Sequence, residues 1–177
     1  MTKALVIAGL VMWPLAAMAE ETALDKTMRK DPDRFAGQVT DLIAGFGGPE
    51  GLTLAGIEEH IALERAGARA ATLRRFFAMD LDADGTVDRA ELQTSQRAAN
   101  ANARGRLERQ FRAADADGNG RADAAKLAEQ GRIAGLRGLG EDEAGFLRAL
   151  MTLDADGNGA LTGAEVAQAV AGLEKAG

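Results

Sequence analysis

Apolar residues recur at helical spacing along most of the chain, and short polar segments rich in glycine separate the apolar stripes. Positions three or four residues apart fall on one face of a helix, so each stripe predicts an amphipathic helix. The clearest stripes consist of Val39, Leu42, Ile43 and Phe46; Leu73, Phe76, Phe77 and Met79; Leu107 and Phe111; Phe146, Leu147, Leu150 and Leu153; and Val166, Ala169, Val170 and Leu173. The pattern therefore predicts an all-α fold of helices joined by polar loops.

The first nineteen residues have a different pattern. Lys3 precedes the apolar residues 5–15, and Ala17-Met18-Ala19 follows, which is typical of a cleaved secretory signal peptide at residues 1–19. An uncleaved membrane anchor is the alternative, although the apolar stretch is short for a spanning helix. We expect export to the periplasm or the cell exterior, and we expect the polar residues 20–32 to be a flexible N-terminal segment.

The polar segments between the helices repeat one motif. Residues 80–85, 115–120 and 154–159 each carry Asp at the first and third places and Gly at the sixth, and they begin 35 and 39 residues apart. Residues 51–57 align with residues 160–166, which places a fourth and degenerate loop near Gly45. Self-similarity at this period predicts four helix-loop-helix units.

Residues 80–91 and 154–165 resemble the calcium-binding loops of the EF-hand family, as found in calmodulin-like proteins. In that twelve-residue loop, oxygens from positions 1, 3, 5, 7, 9 and 12 surround the ion, and glycine at position 6 permits a sharp turn. The resemblance covers nearly all of the chain after the signal peptide. It implies paired EF-hand units with short two-stranded β contacts between their loops.

The resemblance implies two complete sets of calcium ligands. The first set is Asp80, Asp82, Asp84, the carbonyl of Thr86, Asp88 and Glu91. The second set is Asp154, Asp156, Asn158, the carbonyl of Ala160, Thr162 through a water molecule, and Glu165. We therefore expect two Ca2+ sites, because a bidentate glutamate at position 12 suits calcium better than magnesium.

The third loop, residues 115–126, departs from this pattern at its last position. Its candidate ligands are Asp115, Asp117, Asn119, the carbonyl of Arg121 and Asp123. Position 12 is Lys126, and an ammonium group has no lone pair with which to bind a metal. We expect weak calcium binding in this loop, or none.

The first loop, near residues 45–56, lacks the ligands altogether and keeps only its packing residues, Leu52 and Ile57. We expect it to pair with the second loop, with Leu52 opposite Val87. The predicted organisation is then one pair over residues 33–102 and another over residues 104–174, with a joint near residues 103–105. Each competent loop would have an impaired partner.

The charge balance limits the classes of partner. The chain has 21 Lys and Arg residues against 27 Asp and Glu residues, a net charge of -6, so it repels nucleic acid and anionic membranes unless a basic patch is segregated. Arg106 and Arg109 lie close together with Arg104, but Glu108 sits among them, and we interpret the group as a solvated helix face. We predict neither a nucleic-acid partner nor a membrane partner for the mature chain.

No catalytic constellation is visible in the sequence. The chain has no cysteine, and its single histidine, His60, is interpreted as a structural residue. We expect a protein that is not an enzyme and that acts as a calcium buffer or a calcium-stabilised module. The alternative is a calcium-dependent sensor that docks an unidentified protein partner. Only Met28, Met79 and Met151 remain after cleavage, and the helix after the second loop, residues 92–102, is nearly all polar and Ala, which is poor material for an apolar groove.

Overall fold

The computed structural model describes residues 22–175, so the predicted signal peptide at residues 1–19 lies outside the described residues. Helices dominate this range, as the apolar stripes predicted. The α-helices are α1 (Ala23–Lys30), α2 (Pro32–Phe46), α3 (Leu54–Phe77), α4 (Arg89–Arg97), α5 (Ala101–Ala114), α6 (Ala124–Gly138), α7 (Glu141–Ala149) and α8 (Gly163–Lys175). A 3-10 helix spans Leu150–Leu153, and the strands are β1 (Leu52–Thr53), β2 (Val87–Asp88), β3 (Arg121–Ala122) and β4 (Ala160–Leu161).

Helix α1 occupies part of the segment that was expected to be flexible. Its start is capped reciprocally, because the amide of Asp25 donates to Oγ1 of Thr22 (3.1 Å) and the amide of Thr22 donates to Oδ2 of Asp25 (3.1 Å). Leu24 and Met28, four residues apart, are both buried. The expectation for residues 20–32 is thus wrong for residues 23–30, since two apolar side chains on one face suffice to dock a short helix.

The loops pair in an order that differs from the expected one. Strand β1 runs antiparallel to β4 with Leu52 opposite Leu161, and β2 runs antiparallel to β3 with Val87 opposite Ala122. The predicted two-stranded contacts are present, but the prediction that Leu52 lies opposite Val87 is wrong. The first loop pairs with the fourth, and the second with the third. Each loop with a complete ligand set still has an impaired partner.

The length of α3 explains this order. Its 24 residues run without interruption from the first loop to the second, a distance of about 36 Å, so these two loops cannot lie side by side. Between the second and third loops, only residues 98–100 separate α4 from α5, and Oδ1 of Asn100 caps α5 by accepting from the amide of Ala103 (2.9 Å). The chain therefore reverses there, and the joint expected near residues 103–105 lies inside α5.

Helices α3 and α6 pack antiparallel and connect the two loop pairs. Glycines on α6 allow a close approach: a Cβ atom at Gly135 would lie 3.3 Å from the carbonyl oxygen of Arg65, and one at Gly138 would lie 2.6 Å from Cβ of Ala68. At the end of α6, Nε of Arg65 donates to the carbonyl of Leu139 (3.0 Å). Larger residues on α6 would separate the two helices.

The buried side chains form two cores. The outer core combines residues from both ends of the described chain, including Phe35, Leu52, Leu150 and Val166. The inner core combines residues from the middle of the chain; it consists of Phe76, Met79, Val87, Leu92, Phe111, Ala114, Ala122 and Leu127. The structure thus differs from the expected division at residues 33–102 and 104–174, because each core takes residues from both segments.

Among the helices of residues 22–175, none has the combined length and apolar character that crossing a bilayer requires.

Candidate metal centres

The second loop, residues 80–91, is curved by hydrogen bonds between its backbone and its own carboxylates. Gly85 adopts a left-handed conformation (φ +80°), and its amide donates to Oδ2 of Asp80 (3.0 Å). The amide of Asp84 donates to Oδ1 of Asp80 (3.2 Å) and to Oδ1 of Asp82 (3.1 Å). Glycine at the turn tolerates this conformation because it has no Cβ atom. The side-chain oxygens consequently face the inside of the bend.

Asp80, Asp82 and Asp84 bring their charges together. Each offers a carboxylate oxygen, and these atoms all lie within 4.8 Å of one another. The amide of Thr86 donates to Oδ1 of Asp84 (2.7 Å), which places Thr86 directly beside the cluster. Like charges at this separation repel one another, so a cation among them would be stabilising.

Glu91 reaches back from the start of α4 to the beginning of the loop. Its Oε1 accepts from the amide of Leu81 (2.7 Å), and its Oε2 accepts from the amide of Asp88 (2.9 Å). Asp88 in turn caps α4, since its Oδ1 accepts from the amides of Ala90 (2.8 Å) and Glu91 (2.9 Å). The reciprocal capping box fixes the orientation of the Glu91 carboxylate toward the loop.

The fourth loop, residues 154–165, has the same construction. Gly159 is left-handed (φ +85°), and its amide donates to Oδ2 of Asp154 (2.8 Å). Carboxylate oxygens of Asp154, Asp156 and Glu165 all lie within 4.8 Å of one another. Three of the predicted ligands, which span the whole loop in sequence, therefore meet at one point.

Glu165 is held as an anion by its hydrogen bonds. Its Oε2 accepts from the amide of Thr162 (2.9 Å) and from Oγ1 of Thr162 (2.7 Å), and its Oε1 accepts from the amide of Ala155 (2.9 Å). These donors, with the Thr162 amide as the largest influence, lower the pKa of Glu165 below its ordinary value. The carboxylate is therefore charged at neutral pH without an ion pair.

Asn158 takes the part that Asp84 plays in the second loop. Its Oδ1 accepts from the amide of Ala160 (2.8 Å), just as Asp84 accepts from Thr86, and its Nδ2 donates to Oδ2 of Asp156 (3.0 Å). The two loops thus share one pattern of bonding between positions 5 and 7. The amide in place of a carboxylate removes one negative charge from the fourth loop.

In the third loop, the side chain of Lys126 lies inside the bend. Its Nζ donates to Oδ1 of Asp117 (2.5 Å), to Oδ1 of Asn119 (3.1 Å) and to the carbonyl of Arg121 (2.8 Å), and it lies 3.7 Å from Oδ1 of Asp115. These oxygens belong to positions 1, 3, 5 and 7 of the loop. An ammonium nitrogen thus contacts the group of oxygens that would bind a metal in an intact loop.

The electrostatics of the third loop follow from this contact. The Lys126 hydrogen bond lowers the pKa of Asp117, and the same bond raises the pKa of Lys126. Asp123 points elsewhere and caps α6, since its Oδ1 accepts from the amide of Lys126 (3.0 Å). The sequence showed Lys126 as a missing ligand and a repulsive charge. The structure adds that its ammonium group neutralises the loop from within.

The first loop packs against the fourth. Gly51 adopts φ +123°, and a Cβ atom there would lie 2.6 Å from the carbonyl oxygen of Leu161. Leu52 is fully buried, and Oγ1 of Thr53 accepts from the amide of Gly56 (3.2 Å) to cap α3. The side chains of the first loop therefore fill the core and cap α3.

One charged contact crosses between paired loops. The guanidinium of Arg121 in the third loop lies 3.7 Å from Oδ2 of Asp84 in the second. The sequence does not reveal this contact, because it depends on the pairing of β2 with β3. A positive side chain beside Asp84 reduces the negative charge that the second loop presents to an ion.

His60 lies apart from these loops. It is half-buried on α3, and its ring lies 4.8 Å from that of Phe46. Over the described part of the chain, the two carboxylate clusters are the only groups of three or more His, Cys, Asp or Glu side chains close enough to hold a metal. His60 belongs to neither.

A family model described as EF hand matches residues 73–94, which comprise the end of α3, the second loop and the beginning of α4. The match covers a small part of the chain; it supports an EF-hand family and suggests calcium binding. No curated protein and no solved structure matches the chain significantly. The acidic cluster of the fourth loop, outside the matched residues, is consistent with the same chemistry.

Proposed function

We propose that the protein binds two calcium ions, one in the second loop and one in the fourth. The observation that carries the proposal is the convergence of three carboxylates in each loop beside a left-handed glycine. The proposed ligands are Asp80, Asp82, Asp84, the carbonyl of Thr86, Asp88 and Glu91 in one loop, and Asp154, Asp156, Asn158, the carbonyl of Ala160, Thr162 and Glu165 in the other.

The donors of both loops suit calcium. All of them are oxygen atoms, which hard cations prefer, and the loops lack the nitrogen and sulfur donors that favour zinc or copper. A glutamate at position 12 can supply two oxygens, and calcium accepts six to eight where magnesium demands six in strict geometry. When bound, the ion would neutralise the clustered carboxylates; the loops themselves supply the curvature.

The loop charges rank the expected affinities. The second loop carries a net charge of -4, the fourth -3 and the third -1. We expect the second loop to bind first, because more anionic ligands attract a cation more strongly. The guanidinium of Arg121 lies near the second loop and reduces the difference in calcium affinity that we expect between the second loop and the fourth.

The proposed role is that of an exported, non-enzymatic calcium buffer or calcium-stabilised module. Since the unfolded chain has no preformed site, calcium binding stabilises the folded state. The helix that follows the second loop supports this role over that of a sensor, because Leu92 is the only buried residue of α4. A sensor needs a larger apolar face to offer to a target.

A sensor that docks a partner protein is the alternative, and one observation favours it. A groove of about 450 Å³ between α2 and α7 is lined by apolar side chains that include Leu42, Phe46, Phe146 and Leu147. A dye that fluoresces on apolar surfaces separates the two roles. A large increase in fluorescence on adding calcium supports a sensor, and no increase supports a buffer or stabilised module.

Calorimetric titration of the protein with calcium tests the proposal. We expect two sites in the parent, one in Glu91→Gln and one in Glu165→Gln, because each substitution removes a carboxylate from position 12. Glu50→Gln, which changes an exposed glutamate of the first loop, is the control and should retain two sites. Absence of binding heat, together with equal melting temperatures in chelator and in calcium, would contradict the proposal.

A further inference from the structure

A second groove, of about 620 Å³, lies between α3, α5 and α6, where the two loop pairs are joined. Arg75, Arg106, Arg109 and Arg137 contribute to its lining, and none of the lining residues within 22–175 is acidic. This concentration of positive charge occurs in a chain whose net charge is -6. The basic residues are therefore segregated from the acidic loops.

The charges of these arginines are not neutralised by neighbouring side chains. In the described part of the chain, the guanidinium groups of Arg106, Arg109 and Arg137 make no ion pair or hydrogen bond, and that of Arg75 donates only to the neutral Oγ1 of Thr72 (2.9 Å). Four unpaired guanidinium groups around one concavity attract anions.

Glu108, which the sequence places between two of these arginines, faces away from the groove. It forms ion pairs with Arg89 (2.8 Å) and Arg112 (3.7 Å), and neither of those residues lines the groove. The arginines of this region are exposed, as expected for a solvated helix face, but the helix directs Glu108 and the groove arginines to different sides.

Apolar side chains also line the groove, and we call them its floor. It includes Ala68, Ala113, Ile133 and Ala134. Gln110 also lines the groove, and its buried Nε2 has no hydrogen-bond partner among the described residues. An occupant that matches this surface has small apolar side chains as well as carboxylates.

We propose that this groove docks an acidic peptide segment of a partner protein, with apolar residues on the floor and carboxylates on the four arginines. Bidentate pairing of guanidinium with carboxylate suits such a segment. Nucleic acid fits less well, because no aromatic side chain of the described chain lines the groove to stack on a base. A bilayer surface is flat, whereas these arginines surround a concavity, and a free phosphate would leave the apolar floor exposed.

The proposal does not depend on calcium binding. None of the four arginines belongs to residues 80–91 or 154–165. A protein that failed to bind calcium could still bind the peptide, and the reverse also holds.

Fluorescence polarisation tests the proposal on the full chain, in calcium and at low salt. The probe is a labelled, helix-forming peptide of about 16 residues composed of Glu, Ala and Leu, long enough to span about 24 Å. We expect saturable binding that weakens as salt is added. Arg106→Gln with Arg109→Gln should weaken binding by about tenfold or more, since two charge-assisted contacts are lost.

The matched control is Arg34→Gln with Arg97→Gln, which makes the same change of charge at exposed positions outside the groove. It should bind the peptide as the parent does, and both double variants should have the far-UV circular dichroism and the melting temperature of the parent, which shows that they fold. The proposal is overturned if the peptide does not bind, or if the control loses as much affinity as the groove variant. Tighter binding of a labelled oligothymidine or of phosphatidylserine vesicles would also overturn it.

Discussion

Replacing Lys126 by glutamate should convert the third loop into a calcium site. The ammonium nitrogen of Lys126 lies 2.5 Å from Oδ1 of Asp117, 2.8 Å from the carbonyl of Arg121 and 3.1 Å from Oδ1 of Asn119. These oxygens already face the inside of the bend. Lys126→Glu removes the cation among them and supplies the carboxylate that position 12 lacks.

The size of the effect follows from the charges. The substitution changes the net charge of the loop from -1 to -3, the value of the fourth loop. The interaction between two unit charges 4 Å apart in water changes a binding constant by about fivefold. Because the ion is divalent and the side chain changes by two charges, the affinity should rise by roughly 10² to 10³-fold. The third loop should then bind calcium about as tightly as the fourth.

Calorimetry measures the outcome as a change from two sites to three. Lys126→Met is the control, since it keeps much of the length of the side chain but provides neither the cation nor the carboxylate. In chelator, we expect both variants to melt at a lower temperature than the parent, because the loop has lost its internal cation. In calcium, only Lys126→Glu should recover.

Two results would refute this reasoning about the third loop. If Lys126→Glu still binds two ions, the oxygens of residues 115–121 are not arranged to hold a metal. If Lys126→Met in chelator melts at the temperature of the parent, the ammonium group does not stabilise the loop.

Three further predictions concern the other loops and the contact between α3 and α7. Ala83 has φ +60° where the third and fourth loops have Gly118 and Gly157. Ala83→Gly should therefore raise the free energy of unfolding by about 0.5 to 1 kcal/mol, as measured by chemical denaturation. Gly157→Ala should lower the free energy of unfolding. Arg121 lies 3.7 Å from Oδ2 of Asp84, so Arg121→Gln should tighten calcium binding in the second loop by up to about fivefold, whereas the fourth loop should be unchanged in the same titration. Glu58 on α3 accepts two hydrogen bonds from Arg148 on α7, and this pairing lowers the pKa of Glu58. Because the pKa of Glu58 is lower in the folded state, the pairing with Arg148 stabilises the fold at pH values above the ordinary pKa of glutamate, and this stabilisation is lost as the pH falls through the folded-state pKa. Glu58→Gln should therefore lower the melting temperature at about pH 7 and have no effect at about pH 2.

Much of the fold and of the candidate sites could be predicted because the information is local. The stripe of Leu73 and Phe76 predicted α3, and the aspartates of residues 80–84 with Gly85 predicted a bend that gathers carboxylates. Each candidate site lies within twelve consecutive residues, so no distant contact is needed to assemble it. The position of Lys126 inside its own loop belongs to the same local information, although from the sequence we predicted only a missing ligand and a repulsive charge.

The pairing of the loops and the basic groove could not be obtained in this way. Which loops pair depends on whether α3 continues through residues 54–77 or breaks, and a helix stays intact or breaks according to what it packs against, here α6. The groove needs Arg75 of α3 and Arg137 of α6 to meet Arg106 and Arg109 of α5. The sequence by itself thus determined the loops and their candidate oxygen ligands, because these depend on neighbouring residues. Only the tertiary structure decided the partners of the loops and the charge of the surface between the helices, because both depend on contacts between residues far apart in the chain.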